Sequence, residues 1–294
     1  MIKGSLVALI TPFKDGKVDY ETLESLIEFH IQKGTDGLVP CGTTGESATL
    51  THKEHEEVID FVVKKVKGRI PVIAGTGSNS TKEAIELGLA AKKSGADAHL
   101  SIVPYYNKPT QEGLYQHFKA IAEAVDLPMI LYNVPGRTGL NMTPETVGRL
   151  SRIKNIIGIK EATGDLKQAT EIMENVSSGF LLFSGDDFVN LPLLSIGGVG
   201  AISVTANILP VELSSMFKYY EKGDIQKARE IHFSLYPFHR MMFIETNPIP
   251  VKTAAYYMGL IPNLEFRLPL CPLKKENEEK LKNFLKERNL LKVQ

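Results

Sequence analysis

Lys160 is the first residue whose placement suggests chemistry. It ends the apolar run Ile156-Ile157-Gly158-Ile159, so a strand through these residues would deliver its amine among nonpolar neighbours. An amine is a nucleophile only when neutral, and at a free pKa of roughly 10.4 about one lysine in a few thousand is neutral at pH 7. Desolvation lowers such a pKa toward about 7–8 and makes a sizeable fraction reactive. The competing reading pairs Lys160 with its neighbour Glu161 as a strand-end ion pair. Tyr132, near the end of Met129–Asn133, offers a phenol that donates and accepts without carrying charge; the alternative is a core tyrosine with a satisfied hydroxyl. Arg137 follows in the rigid turn Val-Pro-Gly-Arg-Thr-Gly, where its fork suits either a substrate carboxylate or a surface ion pair. Gly42-Thr43-Thr44-Gly45-Glu46-Ser47 has amides and hydroxyls that would hold a carboxylate, or it is only a turn with a helix cap.

These residues need a frame. Short apolar runs rich in β-formers fall at Leu6–Ile10, Gly37–Pro40, Pro71–Gly75, Ala98–Val103, Met129–Asn133, Ile156–Lys160, Leu181–Gly185 and Ala201–Val204. Amphipathic stretches separate them, near Tyr20–Lys33, Lys53–Val66, Thr81–Ser94, Glu112–Ala124, Pro144–Leu150, Leu166–Val176, Phe188–Ile196 and Val211–Glu221. Strands apolar on both faces are those of a parallel sheet covered by helices. Eight such βα units in about 225 residues predict an α/β fold, a (β/α)8 TIM barrel. A doubly wound sheet usually has fewer units and a Gly-rich nucleotide turn, which is absent here. After Gly223 the alternation stops, and Ile225–Phe238, Pro248–Leu260 and Lys274–Leu291 read as helices. The division expected is therefore a catalytic barrel over 1–223 and a helical extension over 224–294. In a barrel the C-terminal strand ends carry the active site. That is where Lys160, Tyr132, the Gly42–Ser47 loop, Tyr105-Tyr106 and Gly185 would sit.

Much else is excluded. Lys plus Arg equals Asp plus Glu at 34 each, which gives no footprint for nucleic acid or an acidic membrane. There is no phosphate loop, dinucleotide fingerprint, nucleophile elbow or HExxH zinc motif. Gly197-Gly198-Val199-Gly200 precedes the eighth strand and reads as a tight turn, so a phosphorylated substrate is disfavoured. Asp186-Asp187 reads as helix capping, and His52 and His55, neighbours on one helical face, read as surface or regulatory residues; no metal is expected. Cys41 and Cys271, far apart and outside any ligand spacing, read as free thiols. With neither a secretion signal nor a membrane span in view, the expected compartment is the cytoplasm.

Four motifs together resemble the dihydrodipicolinate synthase family, within the wider group that includes N-acetylneuraminate lyase. They are Gly42-Thr43-Thr44-Gly45-Glu46-Ser47, Pro104-Tyr105-Tyr106-Asn107-Lys108-Pro109, Tyr132-Asn133-Val134-Pro135-Gly136-Arg137-Thr138-Gly139, and Gly158-Ile159-Lys160-Glu161-Ala162-Thr163-Gly164-Asp165. The resemblance runs from Gly4 to about Asn207 and more loosely through the tail. It implies a class I aldolase-type lyase that condenses pyruvate with L-aspartate 4-semialdehyde to 4-hydroxy-tetrahydrodipicolinate, in lysine and diaminopimelate biosynthesis. It implies that Lys160 forms the Schiff base and that Tyr132 moves protons. Thr44 would link Tyr132 to Tyr106, which reaches in from a neighbouring subunit. Thr43 and Thr44 would hold the pyruvate carboxylate and Arg137 that of the semialdehyde, with the Gly185 and Ile202 backbones lining the pocket. No cofactor is implied. The resemblance further implies a homotetramer built as a dimer of dimers, and a candidate feedback site for lysine at Ser47, Ala48, His52, His55, Asn79, Glu83 and Tyr105. In that site Glu83 would meet an ammonium and His55 would sense its charge. The nearest rival is a pyruvate aldolase acting on a long polyhydroxylated aldehyde, against which Arg137 argues for a short acidic partner. A non-catalytic keto-acid-binding barrel is the other.

Overall fold

The computed structural model describes residues 2–292. Eight parallel strands form the barrel: β1 Gly4–Ala8, β2 Gly37–Val39, β3 Ile73–Gly75, β4 Ala98–Ile102, β5 Met129–Asn133, β6 Ile156–Glu161, β7 Leu181–Ser184 and β8 Gly200–Ser203. Their hydrogen-bonded order is β2-β1-β8-β7-β6-β5-β4-β3, and a bridge between Leu38 and Val72 joins the two ends. All eight expected strands are present, with ends that match or differ by one or two residues. Among the described residues, a short hairpin, Phe13–Lys14 with Lys17–Val18, and a single helical turn, Pro135–Thr138, in place of the rigid turn around Arg137, were not anticipated.

The outer ring comprises α1 Tyr20–Gln32, α2 His52–Val66, α3 Thr81–Ser94, α4 Gln111–Ala124, α5 Pro144–Leu150, α6 Leu166–Asn175, the short α7 Asn190–Leu194 and α8 Pro210–Glu221. Side chains stop several of these helices from fraying: Asp19, Thr51, Ser80, Thr110 and Asp165 each accept a first-turn N–H. Thr51 and Glu54 complete a reciprocal capping box on α2. Three more helices follow: α9 Ile225–Met242, α10 Ile249–Tyr257 and α11 Lys275–Glu287.

Two apolar layers result from this winding. Leu6, Ala8, Val39, Ile73, Leu100, Ile130, Tyr132, Phe183 and Ile202 fill the barrel interior. A larger layer lies between strands and helices and includes Val7, Leu38, Leu131, Ile159 and Leu182. Successive strand residues alternate between the two, as the period of 2 demands. That alternation decides the site. Tyr132, Lys160 and Phe183 are paired across β5, β6 and β7, so all three face the interior. Glu161, one residue on, faces the helices.

Candidate active site

Lys160 is only 6% exposed. Its Nζ lies 4.2 Å from the centroid of the Tyr132 ring, and among the described residues no carboxylate reaches it as an ion-pair partner. The ion pair with Glu161 does not form, because neighbouring strand residues point to opposite faces. Instead Glu161 accepts from Asn133 Nδ2 at 2.9 Å, Gln168 Nε2 at 3.1 Å and the Thr163 amide at 2.7 Å. A buried carboxylate with three donors needs no lysine.

Room for the lysine's aliphatic stem comes from β7. The Gly185 amide donates to Glu161 O at 2.7 Å, which draws the two strand ends together. A Cβ at Gly185 would stand 2.6 Å from Ala162 Cβ and 2.9 Å from Lys160 Cε. Gly185→Ala is therefore expected to move the amine by a fraction of an ångström to an ångström and slow catalysis on the order of 10²-fold. Circular dichroism should show an unchanged fold. A folded variant with wild-type kcat would show that this contact does not position the lysine.

The Gly42–Ser47 loop is not the helix-capping turn of the alternative reading. It leads into a single 3-10 turn, Ser47–Thr49, through Glu46 at φ 55°, and α2 is capped by Thr51 instead. Thr44 is 2% exposed, and its hydroxyl accepts from Asn247 Nδ2 at 3.0 Å. The Asn247 carbonyl in turn accepts from Arg137 Nη2 at 2.9 Å. Asn247 thus ties the threonine loop to the arginine, although it lies in the tail that the sequence left unpatterned. Arg137 forms no ion pair among the described residues and stands exposed at the mouth. Tyr106, at φ 72°, is 90% exposed and outside the pocket of its own chain, so the relay Tyr132–Thr44–Tyr106 is not assembled within one subunit.

A cavity of about 480 Å³ opens beside these groups. Thr43, Tyr132, Arg137 and Asn247 line it, whereas Lys160, Thr44, Gly185 and Ile202 do not. Lys160 thus lies against the ring of a wall residue, Tyr132, and Ile202 belongs to the interior packing. The same cavity is lined by Ser47, Ala48, His52, His55, Glu83 and Tyr105. Asn79 stands just behind, its Nδ2 donating to Tyr105 O at 3.1 Å. Glu83 contacts His52 Nε2 at 2.5 Å and accepts from the Ser78 hydroxyl, and these contacts hold its carboxyl below the usual range, Ser78 contributing most. Of the two readings of His55, surface or regulatory, burial removes the first. The residue is 6% exposed, and burial lowers its pKa to about 4. Of the acidic pair, Asp186 caps Phe188 N at 3.0 Å as expected. Asp187 does something else: it accepts from the Val204 and Thr205 amides at 3.0 and 2.9 Å and fixes the turn after β8.

Comparison with known proteins agrees with this fold. The sequence model of the dihydrodipicolinate synthetase family matches residues 1–288. The 4-hydroxy-tetrahydrodipicolinate synthase of Thermodesulfovibrio yellowstonii is 58% identical over 292 residues, 99% of this chain and 100% of its own. The crystal structure of dihydrodipicolinate synthase from Aquifex aeolicus superposes with a TM-score of 0.97 at 51% identity, covering 99% of this chain and 100% of that one. The chloride-inhibited enzyme of Acinetobacter baumannii, crystallised with pyruvate, gives 0.96 at 50% identity over 99% and 100%. A barrel whose mouth gathers Lys160, Tyr132, Thr44 and Arg137, matched over nearly its whole length by relatives of this kind, belongs to the dihydrodipicolinate synthetase family.

Proposed function

We propose that this chain is a 4-hydroxy-tetrahydrodipicolinate synthase, a class I aldolase-type lyase of lysine and diaminopimelate biosynthesis. One observation carries the residue-level reading: a buried lysine with no acidic partner, packed against a tyrosine inside a barrel mouth. Lys160 attacks the ketone carbon of pyruvate and, with loss of water, forms an imine. Removal of a methyl proton yields an enamine, which bonds to the aldehyde carbon of L-aspartate 4-semialdehyde. The semialdehyde's own amine then adds to the imine carbon and displaces Lys160, releasing the cyclic product. Tyr132 shuttles protons at the nitrogen, Thr43 and Thr44 hold the pyruvate carboxylate, and Arg137 holds the carboxylate of the semialdehyde. Gly185 and Ile202 shape the wall behind the amine. The direct test supplies both substrates and couples the product to a reductase. Pyruvate trapped on Lys160 by borohydride without product would keep the imine and transfer the acceptor to the polyhydroxylated aldehydes.

Residues 1–223 are read as the catalytic barrel and 224–294 as its helical extension. The working unit is read as a tetramer made of two dimers. Tyr106, exposed with a left-handed backbone in the lone chain, is suited to complete the neighbour's pocket. The lysine-binding reading rests on Glu83, an ionised carboxylate in the shared cavity. Sedimentation and initial rates with and without L-lysine test both: a single-chain mass removes the shared pocket, and an unchanged rate at millimolar lysine removes the feedback. Among the described residues no helix is long and apolar enough to cross a membrane. The cysteines are unpaired, which suits the cytoplasm; fractionation of cells checks that placement.

A further inference from the structure

Lys160 is not the only buried lysine. Lys252, on α10, is fully buried, with Nζ 2.6 Å from Oε1 of Glu46, whose side chain is equally inaccessible. Among the described residues no other lysine–carboxylate pair lies wholly out of water. Charges buried in this way persist only when further hydrogen bonds complete their shells. Here they do: Glu46 Oε2 accepts from the Arg267 amide at 3.2 Å. The Arg267 guanidinium grips both oxygens of Glu54, at 2.8 and 2.6 Å, and Thr49 O at 3.0 Å. Both cations lie over the Phe13 ring, Lys252 Nζ 4.1 Å and Arg267 Cζ 4.5 Å from its centroid. Glu46 sits at φ 55°, a backbone state that a non-glycine residue keeps only when its surroundings over-determine it.

What Glu46 anchors is the threonine loop. Its own amide donates to Thr43 O at 3.1 Å, and Gly45 O accepts from the Thr11 hydroxyl at 2.7 Å. Thr44 is held from the other side by Asn247, in the segment that leads into α10. One helix and its lead-in therefore grip the loop twice, by a charge pair at Glu46 and a hydrogen bond at Thr44.

We propose that the Glu46–Lys252 pair is a positioning strut for the condensation, setting the loop backbone so that Thr43 and Thr44 meet the carboxylate of the 2-keto acid. This rests on the function proposed above. A strut that served only stability would be replaceable, because swapping a buried ion pair for neutral groups of similar size is often neutral for folding. A positioning strut would not be.

The test compares the unsubstituted protein with Glu46→Gln, Lys252→Met and the double variant at a temperature below every melting point. It records melting, kcat, KM for each substrate, and the pyruvate concentration that half-saturates borohydride trapping on Lys160. In the folded double variant that concentration and the pyruvate KM are expected to rise roughly 10- to 100-fold, since misplacement by about 1 Å costs on the order of 10²-fold. Trapping at saturating pyruvate and the KM for the semialdehyde should change far less. A folded double variant with the original pyruvate KM and trapping curve overturns the proposal. If Lys252→Met or the double variant fails to fold, Glu46→Gln, which keeps the side chain's shape and an acceptor for Lys252, carries the same comparison. Loss of trapping in the unsubstituted protein would instead be a failure of the underlying function, and the strut would fall with it.

Discussion

Replacing Lys160 with alanine is expected to lower the condensation rate by on the order of 10⁴-fold or more and to abolish borohydride trapping of pyruvate, with the fold intact. The chemical ground is that nothing nearby can stand in for it. Lys252, the other buried amine, is engaged by Glu46 at 2.6 Å, and its charge is committed to that pair. Tyr132 can move a proton but cannot form an imine. The structural ground is that alanine leaves an empty channel beside Tyr132 and Phe183 without stranding a charge, since Lys160 has no carboxylate partner to orphan. Rates in the coupled assay and a mass spectrum after borohydride provide the check. Substantial turnover in the variant, above about 1% of the original, would mean that the amine identified here is not the nucleophile.

The second large effect concerns acid. Burial lowers the pKa of His30 to about 3 and those of His55, His99 and His117 to about 4. Three of them share a hydrogen bond with a threonine hydroxyl: His30 with Thr35 at 3.1 Å, His99 with Thr76 at 2.8 Å and His117 with Thr81 at 2.9 Å. In the unfolded chain such groups titrate near 6.5, so between about pH 6.5 and 4 the unfolded state binds protons that the native state refuses. Their contribution to stability is fully present above pH 6.5 and is lost as the pH falls through that window. At pH 5 the loss amounts to roughly 2 kcal/mol for each histidine, and four together approach the 5–15 kcal/mol that holds a typical domain folded. Asp36 and Asp186, whose carboxyls burial pushes up, act in the opposite sense and recover part of it. Urea unfolding at pH 7.5, 6 and 5 should show stability falling steeply with pH. A flat profile across that range would contradict the burial of these rings.

Much of this molecule is legible in one dimension. Runs such as Met-Ile-Leu-Tyr-Asn at 129–133 are apolar on both faces, as covered parallel strands are, and their short length and regular alternation with amphipathic stretches set them apart from buried helices. Asp165 marks a helix start because a capping carboxylate acts within three residues of itself. Lys160, Tyr132, the Gly42–Ser47 loop and Arg137 were visible as candidates, since strand ends can be read from local pattern and barrel chemistry gathers there. Their proposed roles came from the four motifs that resemble the family.

What the chain did not reveal depends on groups brought together from far apart. Lys160 and Glu161 are adjacent in sequence, yet strand pairing with Tyr132 and Phe183 sends one into the barrel and the other to Gln168. His55 has the sequence surroundings of an exposed helix residue and is buried only because the Gly75 strand end and the Cys41 loop close over it. Asn247, Lys252 and Arg267 carry no local signal, because they act on Thr44, Glu46 and Glu54 about 200 residues earlier. Sequence by itself determined the elements, through short-range periodicity, and named the candidates for reaction, through side-chain chemistry and the four motifs. Only the closed barrel, with the tail folded back across its mouth, decided which charges are paired, which amine is left free and what holds the threonine loop, because burial and ion pairing depend on distances in space that no local pattern encodes.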